Sequence, residues 1–229
     1  MIDFHSHILA KIDDGSHDID ESIQLINLLS SQGVKTVIAT PHFYANDEPV
    51  EHFLSRRKKA FDSLCENLPS NAPKILLGAE VKYYQGISRM ESLDSLCISG
   101  TNLLLLEMPF TKWTEYTMKE LIELVSLNNV TVVLAHIERY LKLQGSKTLN
   151  RLLDCGILMQ TNASSFVDIF SRRKALKLLR DGKVQVIGSD CHNLNSRPPQ
   201  MDKAFEIIRK KFGENFINQF NEFCTSLLV

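Results

Sequence analysis

The chain has 229 residues, 44% of them hydrophobic and 23% charged, with a formal net charge of −1. So even a charge balance offers no overall field to attract nucleic acid or an anionic membrane. No apolar run reaches the roughly 18 residues that a membrane-crossing helix needs. A length of this order suits one α/β barrel, which often takes roughly 200–250 residues, so one domain over 1–229 is expected.

Five cysteines are scattered along the chain without a C-x-x-C pair. Free thiols in a reducing compartment fit that pattern. With no apolar leader ahead of the first strand-like run, a cytoplasmic protein is expected.

From the N-terminus, apolar strand-like runs alternate with helical patterns. Strands are expected over 2–5, 36–40, 74–81, 102–107, 130–135, 157–160 and 184–188. Helices are expected near 19–32, 47–67, 114–128, 146–154, 171–181, 200–211 and 213–226. Strands joined by helices pair in parallel, because a parallel connection needs a long crossover. Runs such as ILLGAEV, LLLLEM and VTVVLAH are apolar almost throughout, as strands covered on both faces are. A closed or nearly closed α/β barrel satisfies both features.

The first strand runs into MIDFHSHILAKIDDG. His5 and His7 are two apart, so a strand aims both at one point, and Asp13 or Asp14 can follow after a short loop. Taken alone, the pattern equally fits surface histidines beside an Asp-Asp-Gly turn. The other strand ends decide the matter. They carry His42, Glu80, Glu107, His136, Asp190 and His192, and a parallel barrel gathers these ends at one rim. Five of the seven histidines fall there, whereas His17 and His52 lie at helix starts. Converging imidazoles and carboxylates on apolar strands are tolerated when a cation offsets their charge and desolvation.

The segments DFHSH at 3–7, DDG at 13–15, TPH at 40–42, GAE at 78–80, AHIERY at 135–140 and GSDCH at 188–192 resemble the PHP (polymerase and histidinol phosphatase) superfamily. Within it, HSHI before DDG, HIERY and the RPP ending resemble the bacterial manganese-dependent protein tyrosine phosphatases of capsule and exopolysaccharide operons. The resemblance implies a distorted (β/α)7 barrel and a trinuclear site. One metal would take His5, His7, Glu80 and Asp190; a second Glu80, Glu107 and His136; a third Asp14, His42 and His192. Asp14 is carried over from the family, with Asp13 as the alternative. The implied substrate is a phosphotyrosine protein, the tail of a cognate tyrosine kinase that governs polysaccharide synthesis.

Nitrogen and carboxylate donors without cysteine suit Mn²⁺, Fe²⁺ or Zn²⁺ better than copper or an iron–sulfur cluster, and the resemblance implies manganese among them. Such ions would generate a bridging hydroxide for attack on phosphorus. Arg139 and Arg197 follow directly on ligand-bearing strand ends, and guanidinium pairs bidentately with phosphate. An isolated arginine would read as an ordinary surface residue; position beside the ligands together with the resemblance assigns both to substrate phosphate.

Cys191 and Arg197 also have the C-x5-R spacing of cysteine-dependent tyrosine phosphatases. That chemistry needs a glycine-rich anion nest, and this loop has no glycine. The basic runs at 55–59 and 171–174 read as solvated helix faces. Phe205, Ile208, Phe212, Phe216, Phe220 and Phe223 recur at helical spacing and read as core. Trp113 and Tyr116 are candidates to flank a phenyl ring, or to pack.

Two enzymatic alternatives remain at this point. One is a small-molecule phosphatase such as histidinol phosphatase. The other is a metal-dependent amidohydrolase, although the bridging lysine usual there has Glu80 and Glu107 in its place. Neither nucleic acid nor membrane insertion is expected, and the oligomeric state stays open.

Overall fold

A computed structural model describes residues 1–229, the side chains of residues 127 and 128 excepted. Nine strand segments form seven staves: β1 Ile2–Ser6, β2 Thr36–Ala39, β3 His42–Phe43, β4 Lys74–Leu77, β5 Glu80–Lys82, β6 Leu103–Glu107, β7 Thr131–Leu134, β8 Leu158–Asn162 and β9 Val186–Gly188. All their pairings are parallel, in the orders β1-β2-β4 and β3-β5-β6-β7-β8-β9. The expected strands at 36–40 and 74–81 are thus each broken in two. Pro41, which has no N–H to give to a ladder, interrupts the first. Gly78 interrupts the second, where a Cβ would lie 3.3 Å from Ile98 and Thr40.

The last strand closes back on the first. Asp190 N donates to His5 O at 2.7 Å, and His7 N donates to Cys191 O at 2.9 Å. The result is the distorted (β/α)7 barrel. Its weakest seam lies between β4 and β6, where no ladder forms. There Ser99 N donates to Leu77 O and Ile98 N to Leu103 O.

Eight helices wrap the staves: α1 Ile19–Ser31, α2 Val50–Cys65, α3 Glu115–Asn128, α4 Leu141–Asp154, α5 Ser164–Val167, α6 Ile169–Arg180, α7 Met201–Phe212 and α8 Glu214–Ser226. The helix expected at 47–67 starts at Val50, after Pro49, because a residue before proline avoids helical angles. α4 begins at Leu141 rather than 146 and breaks at Gly145, which sits at φ 71° and ψ 164°. The short α5 has no counterpart in the expected elements. Its single turn is too brief for a periodic signal. Among the described residues, no helix is long and apolar enough to cross a membrane.

Two apolar layers hold the barrel. Val37, Leu104, Leu106, Val132 and Ile187 face the helices. Phe4, Ile38, Leu105, Val133, Ala135 and Val186 form the second cluster, with Cys224, Leu227 and Leu228 from the C-terminal end packed on it. Their period-two spacing identifies the barrel interior. It places Glu80, Glu107, His42 and Asp190 on the inward register further up the staves.

β1 obeys a different rule. Its register to β2 runs Asp3↔Val37 and then Ser6↔Ala39, one residue too many, which is a bulge. Simple alternation from Phe4 would turn His5 outward. The bulge re-aims His5, and with it His7, into the basin.

The aromatic helix stripe is only partly core. Phe205 and Ile208 are buried, whereas Phe223 is exposed. Phe212, Phe216 and Phe220 form a half-buried ring ladder, with centroids 4.9 and 6.4 Å apart. Phe223 points away from the cluster that Cys224, Leu227 and Leu228 join. The basic run at 55–59 is also mixed. Arg57 is buried and donates to Gly78 O at 2.6 Å, and Arg56 donates to Ile12 O at 2.5 Å.

Candidate active site

All nine residues singled out as potential ligands converge at the C-terminal rim. Nε2 of His5 lies 3.1 Å from Glu80 Oε2 and 3.5 Å from Asp190 Oδ1. Nε2 of His7 lies 3.3 and 3.6 Å from the same two atoms. His136 Nε2 is 2.9 Å from Glu80 Oε1 and 3.5 Å from Glu107 Oε1. Asp14 Oδ1 stands 3.4 Å from Nε2 of both His42 and His192. Glu80 is the hub, since His42 Nδ1 also approaches its Oε2 to 3.0 Å.

The two aspartates of the DDG turn have separate roles. Asp13 accepts from His7 Nδ1 at 2.7 Å and from His42 N at 2.9 Å, so it orients histidines from behind. Asp14 turns into the basin mouth. Gly15 makes the turn possible, because a Cβ there would fall 2.3 Å from His7 O. Gly188 has the same task across the closure seam, where a Cβ would fall 2.5 Å from His5 Cβ.

Backbone angles complete the aim. His136 and Asp190 take φ 32° and 52°, in the left-handed region that non-glycine residues seldom occupy. Each lies two residues beyond its strand, β7 or β9, where the change of backbone direction turns its side chain to the basin. Such angles cost on the order of 1–3 kcal/mol and persist where surrounding contacts enforce them.

Hydrogen bonds fix which imidazole nitrogens face inward. Gln160 Oε1 accepts the His136 backbone N–H at 2.6 Å, so the 3.3 Å contact with His5 Nδ1 makes that nitrogen a donor too. His192 Nδ1 contacts Asp190 O at 3.1 Å and donates. The inward nitrogens of these rings therefore carry lone pairs. His192 Nε2 and His136 Nδ1 are buried without a hydrogen-bond partner. Burial, together with the charges of His7 and Arg197, holds the His192 pKa down at about 4, so its lone pair is available. For His7, burial opposes the charged ring, but the hydrogen bond and charge of Asp13 and the contact with Glu80 outweigh it and push the pKa up to about 10. Burial would raise Glu80, yet His5, His136 and His42 hold it well below the usual carboxylate range.

Orphaned lone pairs, buried carboxylates and an all nitrogen–oxygen donor set fit divalent cations. Three groups of donor atoms each lie within 4.8 Å of one another: His7, Asp14, His42 and His192; His5, His7 and Asp190; His42, Glu80 and Glu107.

Both arginines reach this basin. Nη2 of Arg139 donates to Asp190 Oδ2 at 2.8 Å, and Nη2 of Arg197 forms an ion pair with the same oxygen at 2.7 Å. They line a cavity of about 140 Å³ with Ser164 and Ser189. Glu138 does not neutralise Arg139; it accepts instead from Thr161 Oγ1 at 2.7 Å.

A family model described as "Capsular polysaccharide synthesis, CpsB/CapC" matches residues 1–225. The chain belongs to the CpsB/CapC family. It is 32% identical to the tyrosine-protein phosphatase CpsB of Streptococcus pneumoniae, over 93% of this chain and 91% of that one. It is 28% identical to the tyrosine-protein phosphatase YwqE of Bacillus subtilis, over 100% and 91%. A crystal structure from work on YwqE and CpsB, described as unique metal-dependent tyrosine phosphatases, superposes with a TM-score of 0.85 at 26% identity. That likeness covers 100% of this chain and 94% of that one.

In this CpsB/CapC chain the cysteine route is closed. Cys191 is fully buried, and burial plus the charge of Asp3 raise its thiol well above the usual range. Sequence reasoning missed several supporting residues. Lys82 donates to Glu107 Oε2 at 2.7 Å, so a lysine does stand at a strand end, two residues beyond Glu80. Asn162 donates to Asp190 Oδ2 at 2.7 Å, and Gln160 donates to Asn162 at 2.9 Å. Two amides inside the apolar run ILMQTN were the available signal.

The aromatic candidates also change. Trp113 is buried against Tyr140, its indole N–H donating to Pro109 O at 3.2 Å, and Tyr116 is exposed on α3. The rim aromatics are Phe110 and Tyr44. Phe110, 49% exposed, lies nearly parallel to the His136 ring at 6.2 Å. Tyr44 stacks on His42 at 5.4 Å.

Proposed function

We propose that this chain is a metal-dependent protein-tyrosine phosphatase, a phosphoric monoester hydrolase that releases phosphate from phosphotyrosine. The observation that carries the reading is the meeting of two guanidinium groups, Arg139 and Arg197, on one carboxylate oxygen at the edge of a basin of imidazoles and carboxylates. Two convergent guanidiniums suit a phosphoryl dianion.

The ligand sets proposed are His5, His7, Glu80 and Asp190; Glu80, Glu107 and His136; and Asp14, His42 and His192. Manganese is the proposed ion, supported by the nitrogen–oxygen donor set, which Fe²⁺ or Zn²⁺ also fits. When bound, the cations supply Lewis acidity toward phosphoryl oxygens and lower the pKa of coordinated water. Arg139 and Arg197 hold and orient the phosphoryl group. Asn162 and both arginines fix Asp190, while Asp13 fixes His7. A phenol leaves with a pKa of about 10, so the chain needs no strong general acid.

The proposed phosphoprotein is a tyrosine kinase acting in capsule synthesis. The family description supports that context.

Phosphate release from a phosphotyrosyl peptide tests the reading, before chelation, after it, and after Mn²⁺ is restored. Loss followed by recovery is expected. Activity that survives thorough chelation overturns the metal dependence, and turnover of histidinol phosphate in place of the peptide overturns the substrate assignment.

A further inference from the structure

One face of α6 borders an open groove. Ile169, Arg173, Leu176, Lys177 and Arg180 follow the spacing of a single helix face and form one wall of a groove of about 560 Å³. Lys211 and Phe212, at the end of α7, form the other wall. Among the described residues, no acidic side chain lines the groove. Arg180 is paired with Asp181, and Arg172 is spent on the carbonyls of Phe166 and Val167. Arg173, Lys177 and Lys211 are exposed and have no ion-pair or hydrogen-bond partner among the described residues. Three free cations thus converge on one trough in a chain whose net charge is −1.

The groove begins five residues along the chain from the arginine cavity. Ser164, the first residue of α5, lines the cavity of Arg139 and Arg197. Ile169, which opens the groove, follows α5 after one linking residue. A polypeptide leaving the basin past Arg197 therefore meets α6 after a single turn of helix.

We propose that the α6–α7 groove docks an acidic, phosphate-bearing stretch of the protein substrate beyond the tyrosine being hydrolysed. The proposal rests on the phosphatase reading above. Each phosphotyrosine adds about −1.5 to −2 charges, so a multiply phosphorylated segment is complementary to the free cations. Ile169, Leu176 and Phe212 supply apolar contact between them. A groove that follows a helix face for its whole length suits an extended chain rather than a flat lipid surface.

The test uses the Mn²⁺-loaded full chain and its Arg173→Glu/Lys177→Glu variant, neither residue belonging to the catalytic basin. The substrates are a phosphorylated glutamate–tyrosine copolymer and p-nitrophenyl phosphate. Anisotropy of a labelled, unphosphorylated copolymer reads binding without turnover. The expected result is KM for the copolymer raised about tenfold and its binding weakened by a similar factor, through like-charge contact. Turnover of p-nitrophenyl phosphate should not change, and high salt should erase the difference. Equal KM and equal binding in both proteins at low salt overturn the proposal. So does wild-type binding to phosphatidylglycerol vesicles, lost in the variant, with no change toward the copolymer. If charge reversal prevents folding, Arg173→Gln/Lys177→Gln decides by the same readouts. Should the wild type fail on p-nitrophenyl phosphate, the phosphatase reading falls, while the anisotropy comparison still judges the groove.

Discussion

Nε2 of His5 and Nε2 of His7 lie 3.1 Å apart, and each ring turns its Nδ1 outward to an acceptor, Gln160 for His5 and Asp13 for His7. Two neutral rings so oriented would press lone pair against lone pair. Only a proton or a cation between them removes the repulsion.

Proton and cation therefore compete for His7. Its pKa in the metal-free fold is raised from 6.5 to about 10. A raised pKa stabilises the metal-free fold fully below pH 6.5, and that contribution is lost as pH climbs toward 10. Cation binding needs the neutral ring, so it has the opposite slope. Calorimetric titration with Mn²⁺ should show proton release and an apparent affinity that rises from pH 6.5 upward, by about tenfold per pH unit for each proton displaced. An affinity flat across that range would rule out His7 as a ligand.

Asp13 acts through His7 rather than on substrate. Asp13→Asn should weaken cation affinity about 10- to 100-fold, as loss of a ligand's orienting partner does. Saturating Mn²⁺ should restore most of kcat. Asp14→Asn removes a proposed ligand, and excess metal should recover less. If the two variants respond alike to added metal, their assigned roles are wrong.

Arg139 and Arg197 share one oxygen of Asp190. Either Arg→Ala change should lower kcat/KM on a phosphotyrosyl peptide by about 100-fold. The double variant should lose less than the product of the two, because residues that act as a unit are not additive. Arg→Lys should rescue little, since the planar fork is what matters. Steady-state kinetics on the wild type, the two alanine variants, the double variant and the lysine variants checks this.

Cys191 keeps its proton at neutral pH. Cys191→Ala should retain kcat/KM within about threefold, and iodoacetamide should leave the native enzyme active, because a buried thiol is inert. Stoichiometric inactivation by alkylation at Cys191 would reopen the thiolate mechanism.

Phe110 presents an open ring over His136, with Lys82 Nζ and Arg139 Cζ 5.7 and 5.9 Å from its centroid. Stacking of a substrate phenyl ring there is worth about 0.5–1.5 kcal/mol. Phe110→Leu should raise KM for phosphotyrosine about 2- to 10-fold and leave β-glycerophosphate turnover unchanged. Equal losses on both substrates would make the ring a packing element.

The strand and helix order, the parallel barrel and eight of the nine convergent rim residues were legible from periodicity and strand-end polarity, whereas Asp14 rather than Asp13 came only from the family resemblance. These signals are local: an apolar run ends, and the residue at its end is one that burial alone would not select. Residues within two or three positions of those ends, such as Lys82 and Phe110, went unremarked because nothing local separates a rim side chain from an ordinary loop residue. The same limit left Trp113 open between substrate and packing, a choice that its burial against Tyr140 decides for packing.

What the tertiary structure alone decided is which way each side chain points. The β1 bulge reverses the facing of His5 and His7. Asp13 and Asp14 part ways because Gly15 lets the turn press against His7. The α6 cations count as a groove only because α7 stands opposite them. Each of these outcomes depends on contacts between segments far apart in the chain. Sequence pattern reports the chemistry each segment carries, whereas the packing of one stave against the next decides where that chemistry is aimed.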